Sequence, residues 1–503
     1  MMNDLLTTLS EHVVLLPIVI PLAAAALALL LSQQQRVQGY FAFGAMTLSA
    51  GVSGFLLWRV LTTGQAEVFQ LGGWAAPFGI TIVGDLLSAF MVVMAQVVMA
   101  AGMLYGLGCN DKCARYPTFY PLFLTLATGL TGGLLTGDLF NLFVFTELLV
   151  ISGAALTAMS DDKYGPEAAY KYFHVSLLAA FALLLSVGAF YISYGTLNMA
   201  DIAARVAADP SPVLVPVGIV LLAVFFMIKS AVVPFHFWQP DFHTAAPTPV
   251  HAVLSSVVVK LGVYGFLRMN TLLFPAQIEW LQAVLVVLGI VGIFFGSLGA
   301  IGTYDAKRML AYSTMGQIGF ITVAIGWGTP LALTAALVYA FNHSLAKAAM
   351  LMLAGAMASR APVKSAAFTV VQGVGKAAPF AGALFFIGGM ALAGLPPTNG
   401  FMSKLAVFQS GVDAEQYLSL AFVGLASTLS LVYVARSFSR IWFAPMAEGA
   451  KPKAGGDSLM APMLLVGASL VLGVWGQPLV GLAGAVVDWM LQPGAYIALV
   501  VGG

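Results

Sequence analysis

The chain has 503 residues, of which 60% are hydrophobic and only 8% charged, against roughly 25% charged in globular domains. A bilayer-spanning helix needs about 20 apolar residues, so this is an all-α polytopic membrane protein with little chain left for an aqueous catalytic domain. Its 21 basic and 20 acidic side chains nearly cancel, which excludes the basic surface of a nucleic-acid binder and a polybasic lipid-binding tail.

Apolar runs of spanning length fall at about 12–31, 38–61, 83–105, 117–136, 139–159, 167–194, 213–236, 247–270, 280–301, 309–328, 331–356, 378–410, 417–442 and 459–477, which makes about fourteen transmembrane helices. The first run lacks a preceding basic region and a cleavage site, and reads as a span rather than a removed leader. Mixed polar and apolar residues with glycines at 64–82 predict a small surface hairpin. The tail after 478 contains Pro478, Asp488 and Pro493 and reads as an amphipathic interfacial helix.

Lysine and arginine test this segmentation, because cytoplasmic loops hold most of them. One set of alternate loops carries 14: Arg36, Lys112, Arg115, Lys163, Lys171, Lys307, Arg308, Arg360, Lys364, Lys376, Arg436, Arg440, Lys451 and Lys453. The other set carries Arg59, Arg205 and Arg268. This places both termini outside the cytoplasm and leaves four lysines inside apolar runs.

Those four are Lys229, Lys260, Lys347 and Lys404. Each opposes insertion by about 2.5 to 3.5 kcal/mol at the bilayer centre, so such residues point to an ion path. Glu147 is the one acid deep in a span, about 12 to 14 Å below the helix start. Lys229 precedes Pro234, whose ring clashes with the carbonyl of residue 230 and breaks the helix. Lys404 follows Pro396, Pro397 and Gly400 in a run long enough to be unwound in the middle. Broken spans expose backbone groups that hold ions and water.

His251 and Lys260 lie nine positions apart, about 180° around a regular helix, so either that helix is distorted or only one of them lies on a path. His343 and Lys347 share a face at i and i+4. His174, His236 and His243 sit near helix ends, where hydration is cheap, and read as structural. Pro240, Pro247 and Pro249 spoil haem ligation by the histidine pairs 236/243 and 243/251.

No Walker-type loop, dinucleotide fingerprint or helical HExxH occurs, so no cofactor or bound metal is expected and the chain does not read as an enzyme. Cys109 and Cys113 form an ordinary loop pair, too few for a disulfide framework or a four-ligand site.

Six blocks in order resemble the antiporter-like membrane subunits of respiratory complex I, membrane-bound hydrogenases and multisubunit cation/proton (Mrp) antiporters. They are Gly137–Glu147, Lys229–Trp238, Ala246–Arg268, Asp305–Gly319, Asn342–Lys347 and Gly394–Lys404. The overall length, the sequence around Glu147 and a lysine at 404 are most similar to the D-type subunits of the Mrp antiporters. The resemblance implies two inverted five-helix repeats, 111–272 and 273–445, with spans seven and twelve broken. They are preceded by an N-terminal unit, 1–110, and followed by 446–503 with the last helix and tail. It also implies a Glu147–Lys229 pair and a hydrophilic axis through Lys260 and His343 to Lys404, partner subunits, a prokaryotic cytoplasmic membrane, and exchange of Na+ or K+ for H+. Lysine and proline occur in opposite order in spans seven and twelve, so the halves are not copies at residue level.

Burial disfavours a charged lysine and a nearby carboxylate restores it. Two opposite charges about 4 Å apart attract by roughly 4 kcal/mol at an effective dielectric of 20, enough for Lys229 to hold or release a proton as it moves relative to Glu147. The competing expectation is the proton-pumping subunit of a redox complex. A third is a scaffold whose buried charges only fix helix pairing.

Overall fold

The structure, a computed structural model, describes residues 12–446, 451–453 and 455–502. The placement expected for the two termini concerns residues 1–11 and 503, outside the described residues. Among the described residues, nine helices are long and apolar enough to cross a membrane, or up to eleven if each of two bent pairs counts as one span. The remaining apolar runs are shorter or interrupted, so length and composition alone do not give fourteen.

In chain order, α1 (Leu16–Leu30) and α2 (Gln35–Thr63) lead into β1 (Glu67–Gln70) and β2 (Thr81–Gly84). The strands pair antiparallel, Glu67 opposite Gly84 and Gln70 opposite Thr81. Then come α3 (Leu86–Leu107), α4 (Phe119–Leu135), α5 (Leu139–Ala158), α6 (Gly165–Tyr194), the short α7 (Met199–Ala208), α8 (Val215–Lys229), α9 (Gln239–Ala245) and α10 (Thr248–Leu273). They are followed by α11 (Glu279–Gly302), α12 (Ala306–Trp327), α13 (Pro330–Arg360), α14 (Pro379–Ala393), α15 (Asn399–Asp413) and α16 (Tyr417–Phe438). The chain closes with α17 (Met460–Val474), α18 (Gln477–Met490) and α19 (Pro493–Val501).

The most apolar stretch of α10 is 100% buried and those of α12 and α13 are 94% buried, against 28% for α2 and α16. α10 and α13, which carry Lys260 and Lys347 in mid-helix, are therefore central, where protein and not lipid surrounds a polar side chain, and α2 and α16, whose arginines lie near their ends, face outward. Helix starts are fixed locally. Asp138 caps α5 by accepting from Asn141 N at 2.7 Å, and Asp305 caps α12 by accepting from Arg308 N at 2.9 Å. Each aspartate also sits in an isolated antiparallel bridge, Asp138 to Asn198 and Asp305 to Ala367. A side-chain cap of this kind contributes about 1 kcal/mol.

Two sequence expectations change here. Arg268 does not lie in a loop. It belongs to α10, is 4% exposed, and its guanidinium grips the buried Asp85 carboxylate in two bonds of 2.6 and 2.7 Å. The tail is two helices and not one: α18 bends 82° from α17, packs its Leu479, Ala483, Val486 and Val487 face inward against α13 and α3, and is followed by α19. Trp489 Nε1 donates to Asp85 Oδ2 at 3.4 Å, which ties this end of the chain to the Arg268 pair.

Candidate functional site

The helix carrying Lys229 stops at that residue, before Pro234 is reached. Val232 N–H donates to Met227 O at 3.0 Å and Ala231 N–H to Ile228 O at 3.1 Å, with Ala231 held at φ +53°. This is a Schellman turn with alanine in the position that usually takes glycine. The proline's missing amide and ring clash prevent the helix from resuming, but hydrogen bonding to Met227 and Ile228 ends it. α14 terminates in the same way: Leu395 N–H donates to Met390 O at 3.0 Å, and Gly394 has φ +80°.

Both broken-helix lysines therefore lie at the C-terminal end of a half-helix, but only Lys404 bonds to its carbonyls. Lys229 is the last residue of α8. Lys404 lies on α15 and reaches back, donating to Ala393 O at 2.8 Å and Ser430 Oγ at 2.6 Å, with the Phe320 ring 5.3 Å away. Helix C-termini carry partial negative charge and free carbonyls, so they favour an ammonium. The reversed order of proline and lysine in the two halves is accommodated by this reach.

Lys229 is buried, yet its Nζ has no hydrogen-bond partner among the described residues. The Phe225 ring is 5.7 Å from it. Glu147, half-buried on α5, has an unpartnered Oε1 and lies within electrostatic reach of Lys229 without forming an ion pair.

In α10 the helix is distorted. A π-helical turn at Leu254–Val258 separates His251 from Lys260. Its wider turn of about 4.4 residues lowers the angle between them from about 180° to about 90°. Lys260 Nζ lies 2.5 Å from His343 Nδ1 on α13. Two positive charges that close would repel by roughly 7 kcal/mol at an effective dielectric of 20, so the pair does not hold two excess protons at once. Ser344 Oγ, next to His343, donates to Ser256 O at 3.0 Å and fixes α13 against the π-turn. Lys347, one turn on, faces α12: its Nζ donates to Leu310 O at 3.0 Å and to Ser313 Oγ.

His343 Nε2 has no partner among the described residues. A cavity of about 10 Å³, lined by Gln317, Tyr339, Asn342, His343 and Ser403, adjoins it, close to the room one water needs. Beyond it, Asn342 Nδ2 donates to Ser403 Oγ at 2.9 Å, and Gln317 joins Tyr339 and Tyr433. Of these uncharged groups, Asn342 and Ser403 link α13 to α15, the helix that carries Lys404. Sequence reading missed Gln317, Tyr339 and Tyr433 because it followed charge; the available signal was an amide and hydroxyls inside otherwise apolar runs.

His243 is not hydrated as its place near a helix end suggests. Although it lies at a helix end, it is 1% exposed, and its ring stacks on His251 with centroids 5.5 Å apart and planes at 15°. All four ring nitrogens of this pair lack partners among the described residues. A cavity of about 440 Å³ reaches the Thr244–Thr248 segment between them, with Asp111, Lys307 and Lys364 on its rim. His236 is set apart, its ring edge-on to Phe295 at 4.4 Å, and His174 is exposed, bonded to Tyr170 O at 2.9 Å.

A family model described as NADH:quinone oxidoreductase/Mrp antiporter, TM, matches residues 136–430, the stretch that holds every residue above from Asp138 to Lys404. This chain belongs to the NADH:quinone oxidoreductase/Mrp antiporter transmembrane family. It is 32% identical over 499 residues to the D-type Na(+)/H(+) antiporter subunit of Alkalihalophilus pseudofirmus, covering 98% of this chain and 99% of that one. Its fold is similar to a chain in the Mrp complex of Dietzia sp., with TM-score 0.89, 25% identity and coverage of 98% and 100%. It is also similar to a chain of the membrane-bound sulfane sulfur reductase, an archaeal respiratory membrane complex, with TM-score 0.87, 29% identity and coverage of 97% and 100%.

Proposed function

We propose that this chain is the proton-translocating subunit of a multisubunit monovalent cation/proton antiporter. The observation that carries this is the run of buried amines and imidazoles across the central helices, in a chain that aligns over nearly its whole length with a D-type Na(+)/H(+) antiporter subunit. Protons pass from Lys404 through the hydroxyl and amide groups to His343 and Lys260, reach the His243–His251 pair, and leave through the cavity at the basic face. Lys347 of α13 borders this route on the side of α12, and Glu147 and Lys229 form the switch that couples to it. Because Lys229 has no fixed partner, a small displacement relative to Glu147 changes how strongly it holds a proton. Proton motive force supplies about 2.3 kcal/mol per charge per 100 mV. A charged lysine does not bind Na+, so the cation is held by Glu147, backbone carbonyls or another subunit.

Fourteen crossings follow when the three shorter helices α1, α4 and α8 and α17 each count as a span and the interrupted α14 and α15 count together as one. The matched caps and bridges of Asp138 and Asp305, and the matched turns at Ala231 and Gly394, support two five-helix repeats. The basic loops face the cytoplasm.

The test uses the whole complex in vesicles with an imposed pH gradient and no electron donor. Na+- or K+-dependent proton movement is expected. Proton movement that requires quinone or another redox substrate instead supports the reading favoured by the likeness to the archaeal respiratory complex.

A further inference from the structure

A groove beside α2 has no part in the proton route. An apolar cavity of about 580 Å³ opens between α2, α3, α13 and α17, with Phe43, Thr47, Leu104, Phe341 and Leu464 in its walls. A second cavity, of about 650 Å³, lies at the basic end of α2 and α3 and is lined by Arg36, Tyr40, Leu107 and Arg115. Arg36, Tyr40, Phe43 and Thr47 recur at helical spacing along one flank of α2, as Ala100, Leu104 and Leu107 do along α3. Gln38 marks the other flank, donating to Ala28 O and Pro117 O at 2.8 Å each. The two cavities are thus the two ends of one groove, on the side of α2 turned away from α1.

Among the described residues neither Arg36 nor Arg115 has an ion pair or side-chain hydrogen bond. From Arg36 to Thr47, where the groove ends on α2, the helix rises about 16 Å, which is half of the roughly 30 Å hydrocarbon core. We propose that this groove binds an anionic phospholipid, its phosphate between Arg36 and Arg115 and one acyl chain in the apolar half. Two free guanidiniums at headgroup level match an anion. A groove one leaflet deep matches an acyl chain, whereas a partner's spanning helix would continue to the far face. The acyl chain packs on Phe341 and Leu345 of α13, each two positions and so about 200° from His343; it supports the helix from behind without entering the route.

Phe43→Trp introduces a reporter in the groove, read as the quenching it adds to the parent complex in vesicles containing dibrominated phosphatidylglycerol or dibrominated phosphatidylcholine at equal mole fraction. Quenching by the anionic lipid is expected to be several-fold stronger, and Arg36→Gln with Arg115→Gln is expected to abolish that preference in a complex that still assembles. Equal quenching by the two lipids, or a preference that survives the double substitution, overturns the proposal. So does protection from both lipids, which would mean that a partner subunit fills the groove. Cation/proton exchange is not the readout, so failure here leaves the proposed function standing.

Discussion

Lys404 Nζ donates to the carbonyl of Ala393 at 2.8 Å, joining the two halves of the broken span through a side chain. Gly394, beside that carbonyl, has φ +80°, and a Cβ there would collide with Lys404 Cδ. Gly394→Ala is expected to displace the lysine and cost about 1 to 3 kcal/mol of backbone strain. A drop in melting temperature of the complex together with loss of exchange checks this; unchanged exchange would separate the lysine's position from transport.

Lys229→Met removes no hydrogen bond that the fold uses. The complex is therefore expected to assemble with wild-type yield while exchange falls to the level of empty vesicles, and Glu147→Gln to behave alike. Loss of assembly in both variants would favour a scaffold role.

The Lys260–His343 pair makes two substitutions differ. His343→Gln offers an oxygen to a charged Lys260, so stability is retained while proton transfer stops. His343→Leu leaves a buried amine without a partner and is expected to cost about 1 to 3 kcal/mol as well. Thermal unfolding and exchange, measured on both variants, distinguish structure from transfer.

Removing one side of the buried Asp85–Arg268 pair should be the most damaging change outside the proposed proton route. Asp85→Ala leaves the Arg268 guanidinium buried without its counter-charge, and about 3 to 5 kcal/mol is expected. Poor yield of folded chain, rescued in part by the double change Asp85→Ala with Arg268→Met, would be the outcome in expression trials.

At the basic face, burial opposes ionisation of Asp111, but Lys307 and Lys364 outweigh it and hold the carboxyl below its usual range. Burial likewise works against the charged Lys364, and Asp111 and Asp161 outweigh it and push the amine up. The carboxylate's contribution is present above its ordinary value of 3.8 and fades as pH falls through the lower folded value. The amine's contribution is present below 10.5 and fades only as pH rises through its higher folded value. Since Lys364 is 38% exposed, solvent screening limits the pair to about 1 kcal/mol or less. Lys364→Met should lower the melting temperature slightly and evenly from pH 5 to 9, and the gap should close below pH 4.

Sequence legibility followed charge. A lysine in an apolar run is costly wherever it lies, so Lys229, Lys260, Lys347 and Lys404 stood out without coordinates. His243 did not, because a histidine near a helix end is ordinarily hydrated; the packing of α9 against α12 and α6, with the ring stacked on His251, is what buried it. Arg268 was misplaced for the opposite reason: an arginine near the end of an apolar run looks like a loop residue until Asp85, 183 positions away, is seen to pair with it.

By itself the sequence determined that this chain lives in a bilayer, where its helices break, and which ionisable groups insertion would have excluded unless they were needed. These follow from local costs: transfer of a charge, a missing amide, the length of an apolar run. Tertiary structure alone decided which groups meet. The π-turn that rotates Lys260 toward His343, the reach of Lys404 to Ala393, and the stacking of His243 on His251 depend on how whole helices pack, and no local preference encodes a distance of 2.5 Å across 83 residues.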